Sequence, residues 1–116
     1  RANGRVSYPA RPMLVGAMDE LKRAVRRHKA DLGAAFDADA DRIFFVDGRG
    51  REVHAVAITR LLAPRFKEPI EIDVCTGYLV RRSGIKYIEG RVGHYFTKKL
   101  MLKHKVDYGG EISGHF

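Results

Sequence analysis

The run Asp37-Ala38-Asp39-Ala40-Asp41-Arg42 puts three carboxylates at alternate positions, with an arginine directly after them. Gathered in one loop, three negative charges repel each other unless a cation sits among them. Oxygen-only ligands suit a hard divalent ion, Mg2+ or Ca2+. An EF-hand opens with the same spaced acids, but it requires Gly at loop position 6 and Glu at position 12. Arg42 and Gly48 stand there instead, and the flanking runs are strand-like. Arg42 suits a phosphate site: a cation holds oxygens on one side and a guanidinium fork holds them on the other. The plain alternative is a solvated acidic turn.

A second chemical signal closes the chain, Gly109-Gly110-Glu111-Ile112-Ser113-Gly114-His115-Phe116. Glycines let backbone approach a ligand closely, and alternation lets Glu111, Ser113 and His115 point one way. A carboxylate, a hydroxyl and an imidazole on one face are a kit for sugar hydroxyls; the same stretch also reads as an ordinary Gly-rich turn. His94 follows Gly93 at an expected helix start, where backbone N–H groups can hold an anion. The alternative there is a capping or half-buried histidine. His28, His54 and His104 lie on helical patterns and read as structural. Cys75 ends a strand and reads as a small core residue.

These side chains need a scaffold, and the composition provides one. The 116 residues are 45% hydrophobic and 31% charged, with 12 Gly and 4 Pro, a globular composition that excludes disordered and collagen-like classes. A single cysteine excludes a disulfide framework and points to a reducing compartment, so a cytoplasmic location is expected. No apolar run is long enough for a membrane span or a signal sequence. Net charge is +8, with +6 in residues 1–30 and −2 in residues 31–60. A basic chain suits nucleic acid, anionic lipid or phosphorylated small molecules. Opening at Arg1 and closing at Phe116 just after the glycines, the sequence reads as a segment of a longer protein.

The periodicity predicts an irregular start around Pro9 and Pro12, then a helix from Met18 to Lys29 with Leu21, Ala24, Val25 and His28 on its inner face. Strands are expected at Leu32–Phe36 and Ile43–Val46, with a turn at Asp47-Gly48-Arg49-Gly50. A helix over residues 54–63 stops at Pro64, and the break from Pro64 to Pro69 is the expected boundary between two units. Ile70–Cys75 alternates apolar Ile70, Ile72 and Val74 with Glu71, Asp73 and Cys75, a strand with one buried face. A short helix at Thr76–Ser83, a strand at Lys86–Ile88, a helix at His94–His104 and a strand at Val106–Tyr108 complete the order. In the last helix Tyr95, Leu100 and Met101 are set against Lys98, Lys99 and Lys103. Alternating strands and helices predict an α/β fold with a mixed, mostly parallel sheet and flanking helices.

Three stretches, in this order, resemble the α-D-phosphohexomutase family, its phosphomannomutase/phosphoglucomutase group in particular. They are Ala30-Asp31-Leu32-Gly33-Ala34-Ala35-Phe36 running into Asp37–Arg42, then Val92-Gly93-His94 with Lys98, Lys99 and Met101, and finally Gly110–His115. The similarity runs from about residue 12 to the end. It implies parts of two consecutive α/β domains of a four-domain enzyme: residues 1–66 as the C-terminal half of domain 2 and 67–116 as the N-terminal part of domain 3. It implies Asp37, Asp39 and Asp41 as Mg2+ ligands and Arg42 on the phosphoryl group. Glu111 and Ser113 would meet sugar hydroxyls, with His94 and His115 near the sugar or its phosphate. The implied reaction is isomerisation of a hexose phosphate, an intramolecular phosphoryl transfer between O1 and O6 through a phosphoserine and a bisphosphorylated intermediate.

The sequence also departs from the family pattern. The family's phosphoserine loop carries Ser-His-Asn, whereas Ser7, Ser83, Ser113 and Asn3 stand in other contexts, and the C-terminal phosphate loop is missing. The chain alone is therefore expected to be inactive, to need the remaining domains as partners, and to hold Mg2+ weakly. Open sheet edges predict an unsteady monomer or a strand-exchanged oligomer. Two other readings compete. The spaced aspartates would serve a metal-dependent nucleotide-sugar transferase, and the basic first thirty residues would serve a nucleic-acid-binding module. The first leaves Gly110–His115 unexplained. The second lacks an aromatic platform, because Lys22–Lys29 reads as the solvated face of a helix, so neither nucleic acid nor membrane is an expected partner.

Overall fold

A computed structural model describes residues 15–116; the irregular start expected around Pro9 and Pro12 lies outside them. Helix α1 (Asp19–His28) carries Asp19 and Glu20 in its first turn, where the helix dipole favours anions. It ends on Lys29 in the left-handed conformation, with the Ala30 N–H donating to Val25 O at 3.0 Å. Strands β1 (Leu32–Phe36), β2 (Ile43–Asp47) and β3 (Glu52–Val53) come next. All three pair antiparallel, in the order β1-β2-β3. A six-residue link from Phe36 to Ile43 cannot make the long crossover that a parallel pair needs. Met18, Val25 and Val46 form the buried centre of this unit, with Leu21, Ala30, Ala35 and Phe44 around it. Gly33 lets α1 settle on β1, since a Cβ there would stand 2.9 Å from Leu21 Cδ1.

The expected Asp47–Gly50 turn is present. Asp47 Oδ1 accepts the N–H groups of Arg49 and Arg51, and Gly50 takes a positive φ of 76°. The chain then divides into two compact units between Val53 and His54, earlier than the Pro64–Pro69 break. The reason is packing. Helix α2 (Ala55–Leu62) buries Val56 with Ala63, Ile70, Ile72, Val80 and Tyr108, so it belongs to the C-terminal unit. His54 opens this second unit by accepting the Val56 N–H on its ring Nδ1, a cap rather than a ligand position. Pro64 does end α2, in a short 3-10 turn.

The second unit contains β4 (Ile70–Asp73), α3 (Gly77–Arg81), β5 (Tyr87–Gly90), α4 (His94–His104) and β6 (Gly109–Gly110). Its sheet runs β5-β4-β6 and both pairings are parallel, so the expected α/β class with a parallel sheet and flanking helices is found here. Ile70 and Ile72 are fully buried against α2 and α3, each stabilising the fold by roughly 1.5–3 kcal/mol.

Several local expectations change. All four residues of β4 are buried, because a central parallel strand is covered on both faces, here by α4 as well. Val74 and Cys75 lie outside the strand and are exposed. Thr97 is the buried residue of α4, and Tyr95 is exposed. Pairing of the last strand begins at Gly109 rather than at Val106. No helix among the described residues is long and apolar enough to cross a membrane.

Candidate functional site

In the first unit, β1 and β2 close on each other at Phe36 and Ile43 and present the six residues between them as one loop. Asp37 is buried at its base, while Asp39 and Asp41 are exposed. The Arg42 N–H donates to Asp37 Oδ1 at 3.2 Å, and the Arg42 guanidinium pairs with Asp37 Oδ2 at 2.5 Å and Asp41 Oδ1 at 3.4 Å. Burial is the largest single influence on that guanidinium and opposes its charge, yet Asp37 and Asp41 together outweigh it and raise its pKa.

One carboxylate oxygen from each aspartate lies within 4.8 Å of the others. Opposed ligands of a divalent ion stand about 4.2 Å apart around Mg2+ and about 5 Å around Ca2+. The donor set therefore fits a hard cation with small adjustments. Ala40 takes a left-handed φ of 60°, a conformation that turns the loop back on itself and that costs an alanine roughly 1–2 kcal/mol.

In the second unit, the sequence-predicted Glu111, Ser113, His115 and His94 come together. The Glu111 N–H donates to His115 O at 3.0 Å and the Gly114 N–H to Glu111 O at 3.1 Å, with Gly114 at φ 94° closing the turn. Ser113 Oγ stands 2.8 Å from His115 Nδ1 and 3.3 Å from Glu111 Oε2. The His115 ring lies 5.1 Å from that of His94, at the start of α4. Glu111 is buried, so it is the rigid member of the set, and Ser113 and His115 are half-buried.

Two further residues anchor this loop and a third lies beside them, and sequence reasoning missed all three. Asp73 Oδ2 accepts the Ile112 N–H at 3.0 Å. The Thr76 hydroxyl stands 3.0 Å from both Asp73 Oδ1 and Gly110 O, able to donate to one at a time. Glu71 lies beside them, fully buried, with its carboxyl between Gly90 and Gly109; a Cβ on Gly109 would come within 3.2 Å of Glu71 Oε2. Burial chiefly, then the Glu111 charge, pushes Glu71 up to about 7; the Thr97 hydroxyl pulls against them, and Asp73 adds a smaller upward push. The available signal was the pair of acids inside an otherwise apolar strand.

Thr76→Val keeps the shape and removes the donor. It is expected to lower stability by about 1–2 kcal/mol, read as a lower urea midpoint, since buried acceptors on Asp73 and Gly110 lose a partner.

Two family models match the chain: phosphoglucomutase/phosphomannomutase alpha/beta/alpha domain II over residues 4–50 and domain III over residues 74–116. Phosphomannomutase of Escherichia coli K12 is 34% identical over 113 residues, covering 90% of this chain and 25% of the relative. Phosphomannomutase of Methanocaldococcus jannaschii is 35% identical over 108 residues, covering 85% and 24%. Phosphoglucosamine mutase of Campylobacter curvus is 32% identical over 108 residues, covering 84% and 24%. The chain thus spans about a quarter of the length of the curated relatives it matches. The crystal structure of a phosphoglucomutase/phosphomannomutase family protein from Burkholderia thailandensis shares the fold, with a TM-score of 0.73 at 22% identity over 91% of this chain and 25% of that one.

Proposed function

Because this chain belongs to the phosphoglucomutase/phosphomannomutase family, we propose that it supplies the cation-holding loop and the sugar-binding loop of a phosphohexomutase, an isomerase acting on hexose phosphates. The observation that carries this reading is the gathering of Asp37, Asp39 and Asp41 within 4.8 Å, with Arg42 in the same loop. The unit ending at Val53 would be its domain II portion, and the unit from His54 its domain III portion.

In this reading Asp37, Asp39 and Asp41 hold Mg2+, which when bound neutralises phosphoryl charge. Arg42 offers its remaining N–H groups to the phosphoryl oxygens. Glu111 and Ser113 accept and donate hydrogen bonds to sugar hydroxyls. His115, in contact with Ser113, and His94, its ring tilted beside that of His115, face the sugar or its phosphate. The phosphoryl group passes between O1 and O6 through a phosphoserine and a bisphosphorylated sugar. The serine comes from the remaining domains, so the chain alone is inactive.

A cytoplasmic setting and association through exchanged strands belong to the same proposal; β5 and β6 are the edge strands of the parallel sheet. On α1, the basic residues that a nucleic-acid reading needs are partly engaged: Lys22 pairs with Glu52 at 2.6 Å and Arg26 reaches Gly50 O.

An amide NMR titration tests the reading. Added Mg2+ is expected to shift residues 37–42, and glucose 1-phosphate added next is expected to shift residues 111–115. Spectra indifferent to both ligands would overturn the assignment of the two loops.

A further inference from the structure

Glu71 is a buried acid that the proposed chemistry does not use. It is fully enclosed on the central strand, and neither carboxylate oxygen has a hydrogen-bond partner of good geometry. The elements around it are mostly neutral. Strand β5 presents Gly90, β6 presents Gly109, and α4 presents Thr97, Leu100 and Met101. The charged groups acting on it are two more carboxylates, Asp73 on its own strand and Glu111 on the following loop. The basic residues of α4, Lys98, Lys99, Lys103, His94 and His104, are exposed, and Glu89 on β5 is taken by Arg81. Tyr108 stacks on Phe66, in the cluster with Ile70 and Ile72.

An enclosed carboxylate facing only negative charge is relieved by holding a proton. The two carboxylates that disfavour its ionisation are also the ones that organise the loop. Asp73 anchors Ile112, and Glu111 makes the turn with Gly114 and His115. We propose that Glu71 is a positioning residue for the Glu111–His115 loop, which stays docked on Asp73 and Thr76 while Glu71 keeps its proton and is pushed off the sheet when the proton leaves. The consequence for substrate rests on the sugar-binding role proposed for Glu111; the movement of the loop does not.

The test uses the chain without metal or sugar phosphate, labelled with 13C at the glutamate carboxyls, across about pH 5–9. The Glu71 signal, identified by its loss in Glu71→Gln, is expected to titrate near 7. The amides of Glu111, Ile112 and Gly114 are expected to shift with the same midpoint, and in Glu71→Gln that shift is lost. Titration of Glu71 near 4.5 would overturn the proposal. So would loop shifts that persist in Glu71→Gln. Should Glu71→Gln fail to fold, Glu111→Gln replaces it: removing that charge is expected to lower the Glu71 midpoint, and an unmoved midpoint refutes the coupling. A failure here leaves the glucose 1-phosphate result standing, and the reverse also holds.

Discussion

Between pH 4.5 and about 7, Glu71 is expected to cost the fold about 1.4 kcal/mol for each unit of rising pH. The unfolded chain releases this proton near 4.5, whereas the folded chain keeps it to about 7. Inside that window the native state binds one more proton than the unfolded state, so stability falls as pH rises. Below 4.5 both states are protonated and above about 7 both are ionised, so the contribution is flat on either side. Across the window the loss reaches about 3 kcal/mol, a large share of the stability of a small domain. Urea denaturation of the chain and of Glu71→Gln at a series of pH values isolates the effect, because the difference between the two curves cancels every other titrating group. The substitution itself shifts the whole Gln curve, so the slope is the readout. Parallel curves would mean that Glu71 is ionised in the native state and that its surroundings are more polar than the fold indicates.

Asp37→Asn is expected to weaken Mg2+ binding on the order of 100-fold, the largest loss among the three aspartates. Asp37 is the buried member, at 5% exposure, and it is held from two sides by Arg42. Its position is therefore set before a cation arrives, whereas Asp39 and Asp41 are exposed and must be ordered. Asparagine keeps the Oδ1 acceptor for the Arg42 N–H, so the hairpin loop still closes; the charge is what is removed. It also frees the Arg42 guanidinium to repel the cation. Isothermal titration of the chain with Mg2+, or relaxation of water protons by Mn2+ in its place, measures the change. Equal affinities for the parent and Asp37→Asn would remove the carboxylate cluster from the proposed site.

How far these sites are legible in the sequence differs between them. The acidic loop is readable from local order alone: its acids are consecutive alternates, and β1 and β2 beside it are short apolar runs joined by a link too brief for anything but a hairpin. The Glu111–His115 residues are also neighbours in sequence, but a turn from Glu111 to His115, rather than the one-faced alternation of an extended strand, brings them together. Helices α1 and α4 emerge from their own periodicity to within about a residue or two.

Local patterns mislead where the partners are distant in sequence. Val106–Tyr108 has the composition of a strand, but the pairing with β4 falls on Gly109 and Gly110, where the absence of side chains admits Thr97 and Met101 on one face and Thr59 on the other. Pro64 ends helix α2 and so assigns it to the first unit, yet Val56 packs with Ile70, Ile72 and Val80. Composition places Cys75 in the core, but β4 stops at Asp73 and leaves it exposed.

The sequence by itself determined the chemical inventory, the order of elements and the two loops, because caps, turns and amphipathic periods act over a few residues. Only the tertiary structure decided that the acidic side of β4 is interior. Alternation reports which side chains share a face, not whether that face is covered, and α4 covers this one with Thr97, Leu100 and Met101. A strand with one buried face leaves Glu71 and Asp73 in water, where an isolated charge belongs. In the fold Asp73 is compensated by Thr76 and the Ile112 N–H, and Glu71 by its proton, and these compensations come from the tertiary packing of β4.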